Sequence, residues 1–214
     1  MKNKHIILFI SLLFNSLVRL MSQSSTDAKV MISAGIGYPA NAGITLYSLV
    51  LVARESNYEA KIYNWQTYYF KTEFVLKSPK FVLGLNYARS SPKFSSDYVG
   101  FRDPLTGIYY EDKFTRSLTM KSSSFIARLN YHFNPEKKAD SYIAIGTGFR
   151  YVKYIYSDTN KYGQLGDLKF SATAIPIALE AIYGIRYYFS DNVGIYTEIG
   201  IAKSIVQSGL VVRF

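Results

Sequence analysis

The chain has 214 residues, 20 Tyr and 14 Phe, no cysteine and a formal net charge of +10, and its mean hydropathy of +0.02 is far below what a bundle of membrane helices needs. Without cysteine there is no disulfide framework, thiolate metal site, cysteine nucleophile or lipoprotein acylation site. The basic excess is spread along the predicted strands rather than gathered on one face or in a tail, which argues against a nucleic-acid-binding protein.

The first segment is read as a targeting signal. Lys2 and Lys4 precede an apolar run from Ile6 to Val18, broken by Asn15 and closed by Arg19, and Leu20-Met21-Ser22-Gln23 offers a cleavage site after Ser22. The run is well short of the ~20 residues a spanning helix requires. Residues 1–22 are therefore expected to be a signal peptide and residues 23–214 the mature domain. Removing Lys2, Lys4 and Arg19 leaves 22 basic against 15 acidic residues, a charge of +7.

Eight alternating segments follow. The period-2 pattern predicts strands over about Val30 to Tyr38, Thr67 to Lys77, Phe81 to Arg89, Ser123 to Phe133, Tyr142 to Tyr154, Ile175 to Phe189, Val193 to Lys203 and Ile205 to Phe214. Three connectors are short and rich in turn residues: Ser78-Pro79-Lys80, Asn134 to Ser141, and Ser190-Asp191-Asn192. On the other side Pro39 to Gln66, Ser90 to Ser122 and Ile155 to Ala174 are long, and only the connector near Ser204 is tight. Short turns on one side and long loops on the other describe an antiparallel up-and-down transmembrane β-barrel of eight strands, with both termini on the periplasmic side. Residues 42–53, strongly apolar between Ile44 and Ala53, are expected to form a short helix over the barrel mouth or two further strands, which would make ten.

The two faces differ in kind. The sixth strand sets Ile177, Leu179, Ala181, Tyr183, Ile185, Tyr187 and Phe189 against Ala178, Glu180, Ile182, Gly184, Arg186 and Tyr188. The second and fourth strands repeat this, with Lys71, Glu73, Arg128, Asn130 and His132 opposite larger apolar sets. On the last strand Val206, Leu210, Val212 and Phe214 are placed on the apolar face, with Ile205, Gln207, Val211 and Arg213 on the other. Aromatics band the apolar face at both ends: Phe81, Phe133, Tyr187, Phe189 and Phe214 at the turn side, Tyr38, Tyr68, Tyr87 and Tyr151 at the loop side. Lipid interfaces select such girdles, because a tyrosine presents an apolar ring and a polar tip.

The stretches Ser33 to Pro39 (SAGIGYP), Phe81 to Tyr87 (FVLGLNY), Tyr183 to Gly200 (YGIRYYFSDNVGIYTEIG) and Ser208 to Phe214 (SGLVVRF) resemble the outer-membrane β-barrel domain family, of the small OmpA/OmpX type. The resemblance implies that the final strand closes the barrel and that Leu210, Val212 and Phe214 carry the signal read by the barrel assembly machinery. With nothing after Phe214, no peptidoglycan-binding domain is implied. A barrel of this size is filled by its own side chains, so Lys71, Glu73, Arg128, Arg150, Glu180, Arg186, Glu198 and Arg213 are expected to form a polar plug; a proton or ion path is the alternative.

The chain is expected to be non-enzymatic and cofactor-free, without metal or catalytic residues. The mature sequence has one histidine, His132, at the turn end of its strand, where a structural role is expected; a lipid A-modifying enzyme is the rival reading, and a small-solute or ion channel another. Arg89, Lys153 and Lys203 fall on the outward register at the loop-side strand ends and are expected to reach lipopolysaccharide phosphates. In the second long loop Phe94, Tyr98, Phe101, Tyr109, Tyr110 and Phe114 flank Asp103-Pro104-Leu105-Thr106-Gly107, predicting an aromatic hairpin that offers an interaction surface to an extracellular ligand. The expected protein is a monomer in contact with outer-membrane lipid, structural or adhesive in role.

Overall fold

The computed structural model describes residues 30–40, 59–102, 106–135, 137–159, 168–171 and 176–214. The expected signal peptide and residues 42–53 lie outside these. Every regular element among the described residues is a strand: β1 (Val30–Ala40), β2 (Glu59–Tyr63), β3 (Thr67–Val75), β4 (Phe81–Ser90), β5 (Lys93–Arg102), β6 (Tyr109–His132), β7 (Ala139–Asp158), β8 (Leu168–Ser171), β9 (Ile177–Tyr188), β10 (Val193–Ile201) and β11 (Ser204–Arg213).

Eight of them close into a barrel in the order β1, β3, β4, β6, β7, β9, β10, β11, each antiparallel to its neighbours. The pairing of β6 with β7 closes the ring on one side, and the pairing of β1 with β11 makes the seam between the chain's ends. Backbone bonds carry the seam to its last rung: the Phe214 amide donates to the Val30 carbonyl at 2.8 Å and the Val30 amide to the Phe214 carbonyl at 3.2 Å. The protein is a closed, antiparallel, eight-stranded transmembrane β-barrel.

Alternation is the cause of closure, since every strand carries one face that suits lipid and one that suits a polar interior. Along β9 exposed and buried residues alternate without a break, the buried set being Ala178, Glu180, Ile182, Gly184, Arg186 and Tyr188. Outside stand side chains such as Phe149, 74 % exposed, and Ile201, 73 % exposed. A wall of this kind around the whole barrel, with buried Lys, Arg and Glu inside it, is the inverse of a water-soluble protein and is stable only in a bilayer. The aromatic bands lie on it, and at the turn side Phe81, Tyr131 and Phe133 pack edge to face at 5.3 Å.

The long connectors hold more structure than their turn residues suggest. β6 runs for 24 residues, whereas about 10 tilted residues cross the hydrocarbon core, so its first half stands beyond the membrane. There β5 pairs with it from Lys93–Thr119 to Arg102–Tyr109, β2 pairs with β5, and β8 pairs with the far end of β7. A strip of sheet in the order β2, β5, β6, β7, β8 thus rises from the rim. The stretch from Ser90 to Ser122 is therefore strand for most of its length, because β4 resumes as β5 after the break at Ser91-Pro92 and the polar, aromatic-rich segments pair with each other above the lipid.

One facing assignment on the last strand changes. Ile205 is 42 % exposed, on the same side as Val206, because the strand starts at Ser204 directly after a turn that folds Ala202 and Lys203 toward the lumen. Regular alternation begins at the Val206–Tyr38 and Gln207–Gly37 pairs.

Candidate functional site

Three places in the barrel collect chemically capable side chains: the middle of the lumen, its two mouths, and the sheet above the rim. In the middle, three cations and three carboxylates meet. Lys71 and Glu73 come from β3, Arg128 from β6, Glu180 and Arg186 from β9 and Glu198 from β10, each placed inward by its strand's alternation. Arg128 is the hub. Its Nη2 donates to Glu73 Oε1 at 2.6 Å and to Glu198 Oε1 at 2.9 Å, and its Nη1 to Glu180 Oε1 at 3.0 Å. Lys71 Nζ donates to Glu198 Oε2 at 2.6 Å, and Arg186 Nη2 to Glu73 Oε2.

Neutral side chains complete the network. Asn130 Nδ2 donates to Glu73 at 2.7 Å, Asn86 Nδ2 to Glu180 at 2.8 Å, and the Tyr142 hydroxyl to Glu198. Aromatic faces cover the cations, with Lys71 4.1 Å from the Tyr196 ring centre and Arg186 4.4 Å from that of Tyr142. Charges taken this far from water are tolerated only when paired and hydrogen-bonded; three positive and three negative groups leave the cluster neutral. Gly184 makes room for it: a Cβ there would lie 2.3 Å from Cζ of Tyr142, its partner across the β7–β9 pair.

Two residues expected in the plug stand apart from it. Arg213 lies at the turn-side mouth, its guanidinium 4.4 Å over the Tyr188 ring and its Nε donating to the Asp191 carbonyl. It is the last residue of β11, below the level of the network. Arg150 lies at the opposite mouth, lining a cavity with Lys203.

The turn-side mouth holds a cavity of about 310 Å³ whose lining includes Met31, Val82, His132, Asp140, Tyr188 and Arg213. His132 Nδ1 is bonded to Asp140 Oδ2, and its ring stacks on Tyr142 at 4.8 Å. Asp140 also accepts the Asn134 amide at 3.3 Å, which ties the pair to the β6–β7 turn. Neither serine nor threonine is among the lining residues of that cavity.

At the loop-side rim, Arg89 is exposed and Lys153 half-buried. Lys203 differs from its outward assignment: the turn between β10 and β11 carries its side chain inward, where Nζ donates to the Ala88 carbonyl at 3.2 Å and to Ser124 Oγ at 3.5 Å. The strict alternation used to place it does not survive a two-residue turn.

Above the rim, Tyr109 is 60 % exposed, whereas Phe94 is half-buried and packs with Ile62, Leu118 and Tyr154 on Met120 and Val152. Backbone pairing places Tyr98 opposite Phe114 and Phe101 opposite Tyr110. Arg116 donates to Asp158 at 3.0 Å across β6 and β7 and the Thr115 hydroxyl to Asp97 at 2.8 Å across β6 and β5, fastening the strip into one unit. β5 is flanked on both sides, so among the described residues the edges of the strip are β2 and β8.

No protein family and no curated protein matches the chain. Among solved structures, it is similar to Ail, the attachment invasion locus protein of Yersinia pestis, in two crystal structures. One is at 13 % identity and a TM-score of 0.44. The other, in complex with the heparin analogue sucrose octasulfate, is at 12 % and 0.42. In both cases 88 % of this chain and all of the other are covered.

Proposed function

We propose that this chain is a non-enzymatic integral outer-membrane barrel that engages an extracellular protein partner through the sheet above its rim. The observation that carries the reading is the strip β2, β5, β6, β7, β8, which rises from the closed barrel beyond the membrane and carries the exposed Tyr109 ring. Exposed aromatic rings on such a sheet give a protein partner rigid apolar contact area with a polar tip. Tyr109 at the end of β6 is one such ring.

The same reading includes export through a cleaved signal peptide, recognition of Leu210, Val212 and Phe214 by the barrel assembly machinery, and life as a monomer among lipopolysaccharide. Arg89 and Lys153 are the rim cations suited to lipid phosphates. The neutral ion-paired network supports a filled lumen over a channel, and a His132 cavity whose described lining holds neither serine nor threonine supports a structural role for that histidine over lipid hydrolysis.

The test is partner capture by crosslinking from the outside of intact cells that display the chain, compared with a variant in which residues 95–117 are replaced by a two-residue turn. Both must migrate as heat-modifiable barrels. Partners lost in the shortened variant support the reading, and an identical partner set in both variants overturns it.

A further inference from the structure

Arg150 from β7 and Lys203 from the β10–β11 turn line one loop-side cavity of about 100 Å³, together with Ser90, Ser122 and Ser124. Its remaining described walls are Ile126, Ile177, Ala178, Leu179 and Ala202, so among the described residues no acid lines it. Among the described residues, every ion pair uses other cations. The contrast with the middle of the lumen is direct: there three cations meet three carboxylates, and here two cations meet none.

The hydroxyls point the same way. Ser90 and Ser122 are 1 % and 2 % exposed, and the Oγ of each is buried with no hydrogen-bond partner. Ser124 Oγ accepts from Lys203, which leaves its own proton to donate. Lys203 spends two contacts on Ala88 and Ser124 and has a third N–H to give. Two cations that meet no acid among the described residues, and a row of unused donors walled by apolar groups that strengthen any electrostatic contact, fit an anion with several acceptor oxygens.

We propose that this cavity is a binding site for a small oxyanion, phosphate or sulfate, free or as a monoester headgroup. The Arg150 guanidinium and the Lys203 ammonium supply the charge. Ser90, Ser122 and Ser124 donate to the remaining oxygens. The site lies at the outer mouth of the barrel, where either a soluble oxyanion or the headgroup of an outer-leaflet lipid can reach it.

The experiment is calorimetric titration of the full barrel, refolded in an uncharged maltoside detergent, with inorganic phosphate at constant ionic strength balanced by sodium chloride. Saturable binding is expected, weakened at least tenfold in Arg150→Gln and in Lys203→Gln and unchanged in Arg213→Gln, whose side chain is at the other mouth. Each variant is first checked for heat-modifiable migration; should one fail to fold, the other decides. A second arm adds short-chain phosphatidic acid to the micelles. Displacement of phosphate assigns the site to a lipid monoester, and undisturbed phosphate binding assigns it to a soluble oxyanion. A response no greater than that to chloride, or phosphate affinity unchanged in a folded Arg150→Gln or Lys203→Gln variant, overturns the proposal.

Discussion

Glu73 and Arg186 meet across the full width of the barrel. Their strands, β3 and β9, stand four places apart in a ring of eight, yet Arg186 Nη2 donates to Glu73 Oε2, while the other oxygen of the same carboxylate accepts from Arg128 at 2.6 Å and from Asn130 at 2.7 Å. One carboxylate therefore links three walls of the lumen. Glu73→Gln leaves the cluster with an uncompensated positive charge and is expected to destabilise the folded barrel by about 3–5 kcal/mol. Adding Arg186→Met restores neutrality, so the double variant is expected to lose less than the sum of the two single losses, with a coupling of about 1 kcal/mol or more. Urea unfolding of the refolded barrel measures all three; simple additivity would show that the six groups do not act as a unit.

The network also bears on permeation. Wild-type protein in planar bilayers is expected to give no large conductance steps, because Arg128 ties β3, β9 and β10 together across the lumen. Arg128→Ala with Glu198→Ala keeps the charge balanced and removes the hub, and is expected to raise conductance. A large wild-type conductance that Arg186→Ala abolishes would instead make these residues an ion path.

Space at the centre depends on Gly184. Any side chain there meets the Tyr142 ring at 2.3 Å, and both positions are fixed by the β7–β9 pairing, so neither backbone can yield. Gly184→Val is expected to abolish the heat-modifiable folded form, and Tyr142→Ala in the same chain to recover part of it. No recovery would place the fault elsewhere than in this contact.

Phe214 and Arg213 separate the seam from the turn-side mouth. Deleting Phe214 removes both backbone bonds to Val30 and a ring that is 70 % exposed on the lipid face, and surface levels of the protein are expected to fall sharply. Arg213→Ala loses the Tyr188 contact and the bond to Asp191 and leaves every ion pair of the central cluster in place, so it is expected to insert normally with a stability loss of about 1–2 kcal/mol. Normal surface levels after the Phe214 deletion would count against its part in assembly.

Alternation by itself determined the barrel. A strand's side chains must point to opposite faces, so the runs at Thr67 to Val75, Ile177 to Tyr188 and Val193 to Ile201 announce both a lipid face and a polar lumen, and such a sheet must close because lipid cannot satisfy an open edge. The same rule brings Lys71, Glu73, Arg128, Glu180, Arg186 and Glu198 inside. It carries no information on height within the lumen, and only the stagger between neighbouring strands decided that these six meet while Arg150 and Arg213 go to opposite mouths. It also fails where a strand turns: Lys203 follows the β10–β11 turn inward, and there it joins Arg150. Above the rim, the turn at Asp103 to Gly107 between aromatic runs still announces the hairpin of β5 and β6, whereas the short segments Glu59–Tyr63 and Leu168–Ser171 read as loop. They become strands because β5 offers a backbone partner to β2 and the far end of β7 offers one to β8, a fact of pairing across distant segments that no local pattern encodes.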